Sequence, residues 1–394
     1  MIIKPMVRSN ICLNAHPAGC AKSVQDQIAY VKAQKHSASS SPKNVLVLGC
    51  SGGYGLASRI VAAFGYGAAT FGVSLEKAGT ETKGGTPGWY NNLAFDQAAA
   101  AEGLTALTFN GDAFSDAVKT EIVEAARARG IRFDLVVYSL ASPVRTDPDS
   151  GVMYKSVIKP VGAPFSGKTF DPMTGDIKEI SAEPATEDEI AQTVKVMGGE
   201  DWARWISHLA DGGVLADGVI TVAYSYVGPE VSQAIYRRGT IGRAKEHLEK
   251  TAAELNQKMA AYRGSAYVSV NKGLITRASA VIPIIPLYLS VLFKVMKRRG
   301  THEGCIEQMN RLFAERLYTG GAIPVDEENR IRIDDWEMDP EVQAEVSEIM
   351  PKVTAENIAE LADLAGYKHD FLATSGFDIA GVDYEKDVPR LDTL

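Results

Sequence analysis

The sequence has few cysteines and no long uninterrupted apolar run. Four cysteines in 394 residues are too few for a disulfide framework, which indicates a reducing compartment. The longest apolar run, residues 281–293, contains two prolines, whereas a membrane-spanning helix needs about 20 apolar residues. The first residues, MIIKPMVRSN, lack the continuous apolar stretch of a signal peptide. We therefore predict a cytoplasmic protein.

The sequence also lacks an excess of positive charge. Its 41 basic and 49 acidic residues give a net charge of −8 and a pI near 5.4. A net negative surface attracts neither nucleic acid nor an anionic membrane. We expect neither of these as the main partner, although a local basic cluster can still bind a phosphorylated substrate.

A zinc site has little support in the sequence. The stretch CLNAHPAGC places Cys12, His16 and Cys20 at four-residue intervals, but no fourth ligand lies nearby. Pro17 and Gly19 interrupt the helix that would align these three side chains. We therefore predict a structural segment here and no bound metal.

Short β-branched runs alternate with segments of helical periodicity from residue 44 to 142. The predicted strands are 44–49, 69–75, 104–110 and 133–141, and the predicted helices are 56–67, 92–102 and 114–129. After residue 193 the pattern resumes with a helix at 201–210, a strand at 218–227, a helix at 241–262 and a strand at 266–271. Strands separated by helices form a parallel sheet covered on both faces. The predicted fold class is α/β, with a Rossmann-like, doubly wound parallel sheet like that of short-chain reductases.

Residues 143–193 interrupt this pattern and are rich in Pro, Gly, Asp and Ser. Such an excursion inside a compact domain is more often a substrate-side insertion than a linker. Beyond residue 287 the sequence predicts two helices, a small hairpin at 323–334 and two short helices. We predict one catalytic domain over 1–320, with an N-terminal extension and this insertion, and a C-terminal extension over 321–394 packed on it.

A glycine-rich loop follows the first strand of the predicted sheet and opens a helix. The stretch GCSGGYG (49–55) has a G-x-x-x-G-x-G pattern. Glycines let the backbone approach a pyrophosphate closely, and the helix N-terminus supplies free N–H groups. With a strand before it and a helix after it, the motif predicts a dinucleotide site. The candidate cofactor-binding residues of the loop are Gly49, Cys50, Ser51, Gly52, Gly53 and Tyr54.

Further cofactor contacts are expected at the carboxyl ends of neighbouring strands. Leu75 and Glu76 end the second strand, where a carboxylate can accept hydrogen bonds from the adenine-ribose hydroxyls of NAD and repel the additional phosphate of NADP. The alternative for Glu76 is a solvated carboxylate at a strand end. The ends of the third and fourth strands add Asp112, Ala113, Leu140 and Ala141.

The stretch YRRGTIGRAK (236–245) begins with a tyrosine and ends with a lysine. Nicotinamide-dependent reductases often pair a Tyr proton donor with a Lys four or seven residues later, whereas Tyr236 and Lys245 are nine apart. Nine helical residues turn about 900°, which would point the two side chains in opposite directions. We predict that Thr240 caps a helix, that Lys245 points inward, and that Tyr236 lies in a turn before the helix. The alternative is a core tyrosine and a lysine that reaches solvent along its stem.

An inward lysine needs a partner, which a cofactor ribose hydroxyl and the Tyr236 phenol could supply. A desolvated, cationic Lys245 is expected to lower the pKa of that phenol. Tyr226 closes the preceding strand at its carboxyl end, also over the expected cofactor, and Tyr224 shares its face and is its main rival.

The chain resembles the NADH-dependent trans-2-enoyl-CoA reductases, also called FabV-type enoyl reductases, over essentially its whole length. The matching stretches include HPAGC, VLVLGCSGGYGLASRI, GWYNN, NGDAFSD, DLVVYSLASPVR, VMGGEDW, ADLAGYKHDFL and the Tyr-x8-Lys spacing. The resemblance implies NADH as cofactor, an enoyl thioester of CoA or acyl carrier protein as substrate, and a monomer. It also implies the following roles: Tyr236 as proton donor, Lys245 as cofactor ligand, Tyr226 as substrate ligand, and Leu274, Ile275 and Thr276 near the cofactor.

The predicted reaction is hydride transfer from NADH to the β-carbon of the thioester. Two alternatives stay open, namely a ketoreductase or epimerase on the same fold and a redox sensor that binds NADH without turnover. Family descriptions give the C-terminal segment a flavin-binding label, but that segment has no glycine-rich phosphate loop. Hydride transfer from NADH needs no flavin, so we predict none.

The apolar stretch VIPIIPLY precedes a helix that carries Phe293. We predict that Ile285 and Phe293 line the acyl pocket, and ordinary core positions are the alternative. The basic residues just beyond could meet the phosphates of CoA or form a solvated helix end; they are Lys294, Lys297, Arg298 and Arg299.

Glu76→Ala should raise activity with NADPH and lower affinity for NADH, because the ribose hydroxyls lose their acceptor. A carboxylate about 4 Å from the NADP phosphate repels it, and even a screened repulsion of roughly 1.4 kcal/mol gives about a tenfold preference. Steady-state kinetics with both cofactors will measure this. An unchanged NADH-to-NADPH ratio of kcat/KM would remove Glu76 from the cofactor site.

Overall fold

A seven-stranded parallel sheet forms the centre of the fold. The computed structural model describes residues 1–8, 10–36, 40–279, 282 and 284–394. Its strands are β1 (Val7–Arg8), β2 (Ile11–Cys12), β3 (Asn44–Leu48), β4 (Ala69–Ser74), β5 (Ala106–Asn110), β6 (Phe133–Tyr138), β7 (Val144–Thr146), β8 (Met153–Lys155), β9 (Phe165–Phe170), β10 (Ile177–Ala182), β11 (Leu215–Ser225), β12 (Ser265–Val270) and β13 (Arg330–Arg332). Its helices are α1 (Pro17–Ala33), α2 (Gly53–Ile60), α3 (Pro87–Ala101), α4 (Asp116–Ala128), α5 (Glu187–Met197), α6 (Glu200–Asp211), α7 (Glu230–Gln233), α8 (Thr240–Met259), α9 (Ile285–Arg299), α10 (Cys305–Leu312), α11 (Pro340–Ile349), α12 (Ile358–Leu361) and α13 (Leu364–Ala373).

The strand order of the large sheet is β5-β4-β3-β6-β11-β12-β13, and every neighbouring pair is parallel. The chain moves outward from β3 to β5 and then returns to place β6 on the other side of β3. Doubly wound sheets bind ligands outside the carboxyl ends of their strands at this reversal. The predicted α/β class and doubly wound parallel sheet are confirmed.

Alternate side chains of the central strands enter different cores. In β3, Val45 and Val47 pack with α1, α2, α3 and α10 on one face, whereas Leu46 and Leu48 pack with α4, α6 and α8 on the other. Because both faces are covered, the strand is a continuous apolar run. A third core joins α9 to α11 and α13 of the C-terminal segment.

The insertion at 143–193 contains two antiparallel hairpins, β7 with β8 and β9 with β10, which the sequence analysis did not predict. The strands β9 and β10 are partly exposed on both faces, so they carry no alternating apolar pattern. The insertion is attached to the start of α8. There the Thr240 N–H donates to the Lys159 carbonyl at 3.0 Å, and the Thr240 hydroxyl donates to the Val157 carbonyl.

The hairpin predicted at 323–334 is wrong. In this range the structure forms a single strand, β13, which pairs in parallel with β12 and becomes the seventh strand of the sheet. Parallel pairing with a strand far earlier in the chain involves no local turn, so the nearby sequence carries no signal of it. Helices are confirmed in the C-terminal extension, but the structure has three of them, α11, α12 and α13, where two were predicted. The domain boundary at residue 320 stays a prediction.

The described part of the apolar run at 281–293 contains the start of a core helix, α9. Every side chain of α9 from Ile285 to Phe293 is buried, while Val281 and Pro283 lie outside the described residues. Within the described part of the chain, no helix combines the length and the apolar character needed to cross a membrane.

The segment around Cys12, His16 and Cys20 starts helix α1. The Nδ1 atom of His16 accepts a hydrogen bond from the Gly19 N–H at 3.2 Å and so caps the helix. Burial raises the pKa of the Cys20 thiol to about 12, which makes it a poor metal ligand. These contacts favour the predicted structural segment over zinc.

A buried ion pair connects α4 with α6 beneath the loop that follows β5. Lys119 Nζ lies 2.8 Å from the Asp201 carboxylate, and both side chains are buried. We expect Lys119→Met to lower stability by about 3–5 kcal/mol, because it leaves the Asp201 charge unpaired. The double variant Lys119→Met/Asp201→Asn, which removes both charges, should recover most of this loss. Urea unfolding followed by circular dichroism will compare them, and a double variant as unstable as the single one would contradict the prediction.

Candidate active site

The glycine loop between β3 and α2 has the conformation that its glycines predict. Gly49 and Gly53 have φ angles of +89° and +53°, in the region that favours glycine. A Cβ on Gly55 would lie 1.9 Å from the Gly49 carbonyl oxygen. No described side chain caps α2, and apart from the two chain neighbours of Gly52 no described atom lies within 4 Å of a Cβ built on it. Free N–H groups and open space at a helix N-terminus fit the pyrophosphate of a dinucleotide.

The side chains of the loop face different neighbours. Cys50 is fully buried in the core, and burial raises the pKa of its thiol, so only its backbone can serve a ligand. The Tyr54 hydroxyl donates to the Lys272 carbonyl, which links the loop to the segment after β12. Ser51 faces the end of β4.

Glu76 lies against this loop. The Ser51 hydroxyl donates to Glu76 Oε1 at 2.6 Å. The Glu76 N–H donates to Asn110 Oδ1 at 2.7 Å, and Asn110 Nδ2 donates to the Glu76 carbonyl at 2.8 Å. A Cβ on Gly88 would lie 2.2 Å from Glu76 Oε1, so the carboxylate also lies over the start of α3. Leu75 beside it is 71% exposed. The contact with Ser51 favours the cofactor interpretation of Glu76 over an isolated solvated carboxylate.

The predicted residues after β5 and β6 have separate surroundings. Leu140 Cδ2 lies 3.4 Å from a Cβ built on Gly49, so Leu140 adjoins the glycine loop. Ala141 is exposed, and Asp112 accepts a hydrogen bond from the N–H two residues later. Ala113 is buried, and its carbonyl accepts hydrogen bonds from two buried side chains of α4 and α6. The structure therefore brings Leu140 to the loop, while Asp112 and Ala113 take part in the turn after β5.

Tyr236 lies in a turn between α7 and α8, as predicted. Its carbonyl accepts hydrogen bonds from the N–H groups of Gly239 at 3.1 Å and Gly242 at 3.0 Å. The predicted cap at Thr240 is wrong by one residue, because Gly239 is the N-cap and the Thr240 hydroxyl bonds the insertion instead. The nine-residue spacing is possible because Tyr236 precedes the helix.

Lys245 points inward, and the solvent-reaching alternative is excluded. Its side chain is buried and Nζ donates to the Tyr224 carbonyl at 3.1 Å. Burial lowers the pKa of Lys245 to about 8, although the charge of Glu249 acts to raise it. The expected lowering of the Tyr236 pKa is wrong for this structure, because burial raises it and no neighbouring charge opposes the rise.

Tyr226, and not its rival Tyr224, lies beside Tyr236. The rings of Tyr226 and Tyr236 pack edge to face with their centroids 5.0 Å apart. The Tyr224 hydroxyl instead shares a 2.6 Å hydrogen bond with Ser58 on α2. Two adjacent phenols therefore occupy the carboxyl edge of β11.

The segment Leu274–Thr276 adjoins the glycine loop. Thr276 Cγ2 lies 3.4 Å from a Cβ built on Gly53. The Ser279 hydroxyl donates to the Leu274 carbonyl at 2.6 Å and accepts from the Thr276 N–H at 2.9 Å, which fixes the turn. Leu274 and Ile275 are buried. The structure thus brings these residues to the expected cofactor loop.

Ile285 and Phe293 are both buried on α9. The Phe293 ring contacts His302 with centroids 4.5 Å apart, and Lys272 Nζ lies 4.6 Å from its centroid. A pocket wall and an ordinary core position both fit these contacts, so the acyl-pocket role stays a prediction.

The basic residues that follow Phe293 bind the C-terminal segment. Their partners are the Glu360 carbonyl for Lys294, Asp363 for Lys297, Glu345 for Arg298, and Glu341 and Glu345 for Arg299. All four basic side chains thus have partners within the protein, and their presence needs no phosphate of CoA to explain it.

Sequence reasoning missed Glu337. This fully buried residue, beyond β13, accepts hydrogen bonds from the Tyr226 hydroxyl at 2.9 Å, the Tyr288 hydroxyl at 2.6 Å and the Gly273 N–H at 2.5 Å. Burial raises the pKa of Glu337, and Lys272 opposes the rise. The stretch DDWEMDP around it has no motif, so no sequence signal could have found it.

The glycine loop and the Tyr226–Tyr236 pair lie at the same edge of the sheet, on either side of the reversal in strand order. A dinucleotide held by its pyrophosphate at the loop could therefore extend toward the phenols and Lys245. This arrangement defines the class of the protein, a Rossmann-type oxidoreductase that uses a nicotinamide cofactor.

Comparison with known proteins identifies the family. The chain matches the family models for the NAD(P)H binding domain of trans-2-enoyl-CoA reductase over residues 2–81, the trans-2-enoyl-CoA reductase catalytic region over 83–318, and an enoyl reductase FAD binding domain over 325–388. The chain belongs to the trans-2-enoyl-CoA reductase family, as its sequence predicted.

Individual relatives agree over the full length. The chain is 67% identical to the trans-2-enoyl-CoA reductase (NADH) of Treponema denticola, with 100% of both chains covered. It is 54% identical to the enoyl-acyl-carrier-protein reductase (NADH) of Cytophaga hutchinsonii, with 100% of this chain and 99% of the relative covered. The crystal structure of the Treponema denticola reductase in complex with NAD superimposes with a TM-score of 0.96 at 66% identity, covering 100% of both chains.

The residues of the C-terminal segment do not fit a flavin. Asp339 and Asp363 are the N-caps of helices α11 and α13, and their carboxylates accept hydrogen bonds from N–H groups in the first turn of each helix. The N-termini are thus occupied by negative charge, which would repel a diphosphate. The apolar faces of both helices pack against α9. Neither of these two helix N-termini suits the diphosphate of a flavin.

Lys245→Met should stabilise the protein at neutral pH. The ordinary pKa of 10.5 falls to about 8 on burial, so the unfolded chain binds this proton more tightly than the folded one. The buried ammonium therefore destabilises the fold below pH about 8, and this penalty fades as pH rises toward about 10.5. We expect the melting temperature of Lys245→Met to exceed that of the unmodified protein by a few degrees at pH 7. Near pH 10 this difference should disappear.

The control is Lys250→Met, which removes an exposed lysine of the same helix and should change little at either pH. Thermal unfolding across this pH range will compare them. A melting temperature of Lys245→Met below that of the unmodified protein at pH 7 would contradict the prediction.

Proposed function

We propose that the protein reduces the 2,3 double bond of trans-2-enoyl thioesters to the saturated acyl thioester, with NADH as the reductant. The observation that carries this proposal is the adjacent Tyr226 and Tyr236 phenols, 5.0 Å apart between ring centroids, at the edge that also holds the glycine loop and Lys245. The NADH-dependent enoyl reductase names of the 67% and 54% identical relatives support it.

NADH, when bound, supplies a hydride to the β-carbon of the substrate. Negative charge then collects on the thioester oxygen, and a hydrogen bond from Tyr226 or Tyr236 stabilises this enolate. Tyr236 gives the proton that completes the reduction. Its pKa is raised by burial, so the phenol keeps its proton until a strongly basic enolate forms.

The remaining chain positions the cofactor and the acyl group. Lys245 binds the nicotinamide ribose, and Glu76 accepts hydrogen bonds from the adenine ribose and favours NADH over NADPH. Ile285 and Phe293 wall the acyl pocket. The other proposed cofactor residues are Gly49, Cys50, Ser51, Gly52, Gly53, Tyr54, Leu75, Asp112, Ala113, Leu140, Ala141, Leu274, Ile275 and Thr276.

The carrier and the cellular setting belong to the same proposal. CoA is the proposed carrier and acyl carrier protein the second candidate, because the relatives include reductases named for each. The reaction would serve fatty acid synthesis or short-chain acyl metabolism. We propose a cytoplasmic monomer; the four free cysteines support a reducing compartment.

One assay tests the reaction. Absorbance at 340 nm should fall with NADH and crotonyl-CoA and stay constant with acetoacetyl-CoA. Reduction of acetoacetyl-CoA alone would instead indicate a ketoreductase. Tight NADH binding without turnover of CoA or carrier-protein thioesters of any length would indicate a sensor.

Tyr236→Phe keeps the ring and removes the transferable proton. We expect kcat for crotonyl-CoA to fall by about a hundredfold or more, as for loss of a general acid, with NADH affinity little changed. Fluorescence titration with NADH and steady-state kinetics measure the two quantities. Full turnover in this variant would move the proton donor to Tyr226.

A further inference from the structure

A carboxylate from the C-terminal segment lies beside the tyrosine pair. Glu337 is fully buried, and its partners are two phenols and the Gly273 N–H, at 2.5 to 2.9 Å. A buried carboxylate without donors is strongly unfavourable. Three donors therefore hold Glu337 in one orientation.

The surroundings leave room for Tyr226 to reach this carboxylate. Tyr226, Gly273 and Glu337 follow the adjacent strands β11, β12 and β13. A Cβ built on Gly273 would lie 3.2 Å from the Tyr226 hydroxyl oxygen and 3.0 Å from Leu289. A larger residue at 273 would thus press on the phenol, so the contact depends on the glycine.

The hydrogen bond to Glu337 determines what Tyr226 can offer a substrate. A phenol has one hydrogen, and Tyr226 donates it to Glu337. Its oxygen then presents only lone pairs to other neighbours. The Tyr236 hydroxyl, in contrast, has no hydrogen-bond partner among the residues that the structure describes. Its hydrogen is available.

We propose that Glu337 is a positioning residue of this site, which holds the Tyr226 hydrogen and so leaves Tyr236 as the phenol that donates to the substrate. The inference rests on the proposed function and specifies which of its two phenols acts as donor. Two charged groups lie near Glu337: Lys272 favours its carboxylate form, and the buried Asp334 opposes it. The three donors suit the carboxylate form.

Glu337→Gln tests this role, because the amide oxygen must face the Gly273 N–H and the amide hydrogens then face the phenols. The Tyr226 hydrogen is released and competes with that of Tyr236 for the thioester oxygen. We expect kcat with crotonyl-CoA to fall about tenfold or more, as for loss of a hydrogen bond to a charged group. The affinity for NADH should not change.

Double variants separate positioning from support of the fold. In a Tyr226→Phe background, Glu337→Gln should cause no further loss of kcat. Equal losses in both backgrounds, or no loss in either, would overturn the proposal. Gly273→Ala, which keeps the carboxylate and displaces the phenol, should also lower kcat, and unchanged kcat in this variant would count against the proposal.

Glu303→Gln is the matched control. Glu303 is a second buried carboxylate, bonded to Arg311 at 2.7 Å, and it has no described contact with Tyr226. This change should lower the melting temperature and leave kcat within about twofold, since Glu303 contacts none of the three donors to Glu337, although Lys272 lies near both carboxylates. A comparable loss of kcat in the control would indicate a general effect of buried charge and overturn the proposal.

A readout without turnover distinguishes this inference from the proposed function. The Cζ resonance of Tyr226 in isotope-labelled protein, assigned by its loss in Tyr226→Phe, should shift in Glu337→Gln and not in Glu303→Gln. An unmoved resonance would overturn the role of Glu337 even in a protein that reduces enoyl thioesters. A shifted resonance in a protein without turnover would support the contact and count against the proposed function alone.

Discussion

Parallel pairing of the seven strands is the constraint on which the rest of the site depends. Since every strand of the large sheet runs in the same direction, the segments that leave the strands all emerge at one edge. The glycine loop, Glu76, Tyr226 and Gly273 follow four different strands and share that edge. The reversal between β3 and β6 opens a crevice there. Neighbours in the site are therefore distant in the chain.

Burial then sets the ionisation of the groups at this edge. It lowers the pKa of Lys245 and raises the pKa values of Tyr226, Tyr236 and Glu337. In each case a low dielectric disfavours the charged form, and at Glu337 the Lys272 charge and the hydrogen bonds from Tyr288 and Gly273 oppose this effect. A phenol that keeps its proton at neutral pH can give it to a much stronger base such as an enolate. The pKa shifts therefore come from the burial of the site, since they occur in residues of three different types.

The C-terminal segment is an integral part of the fold. It supplies the last strand of the sheet, and its acidic groups pair with the basic end of α9, as Asp363 does with Lys297 at 2.6 Å. Glu337 lies between the strand and these helices and reaches Tyr226. Sequence patterns could not show this, because neither β13 nor Glu337 has a local motif. Both are placed by contacts with segments far earlier in the chain.

The sequence by itself determined the α/β class, the strand, loop and helix around Gly49 and Gly53, and the inward direction of Lys245. Each of these depends on periodicity or on turn chemistry within a few residues. Only the tertiary structure decided which tyrosine adjoins Tyr236. Tyr224 and Tyr226 share one strand face and one pattern, but Ser58 binds the first and Glu337 the second, from 166 and 111 residues away. Such long-range partners are chosen by how the sheet and its covering segments pack, and that packing leaves no signal in the local sequence.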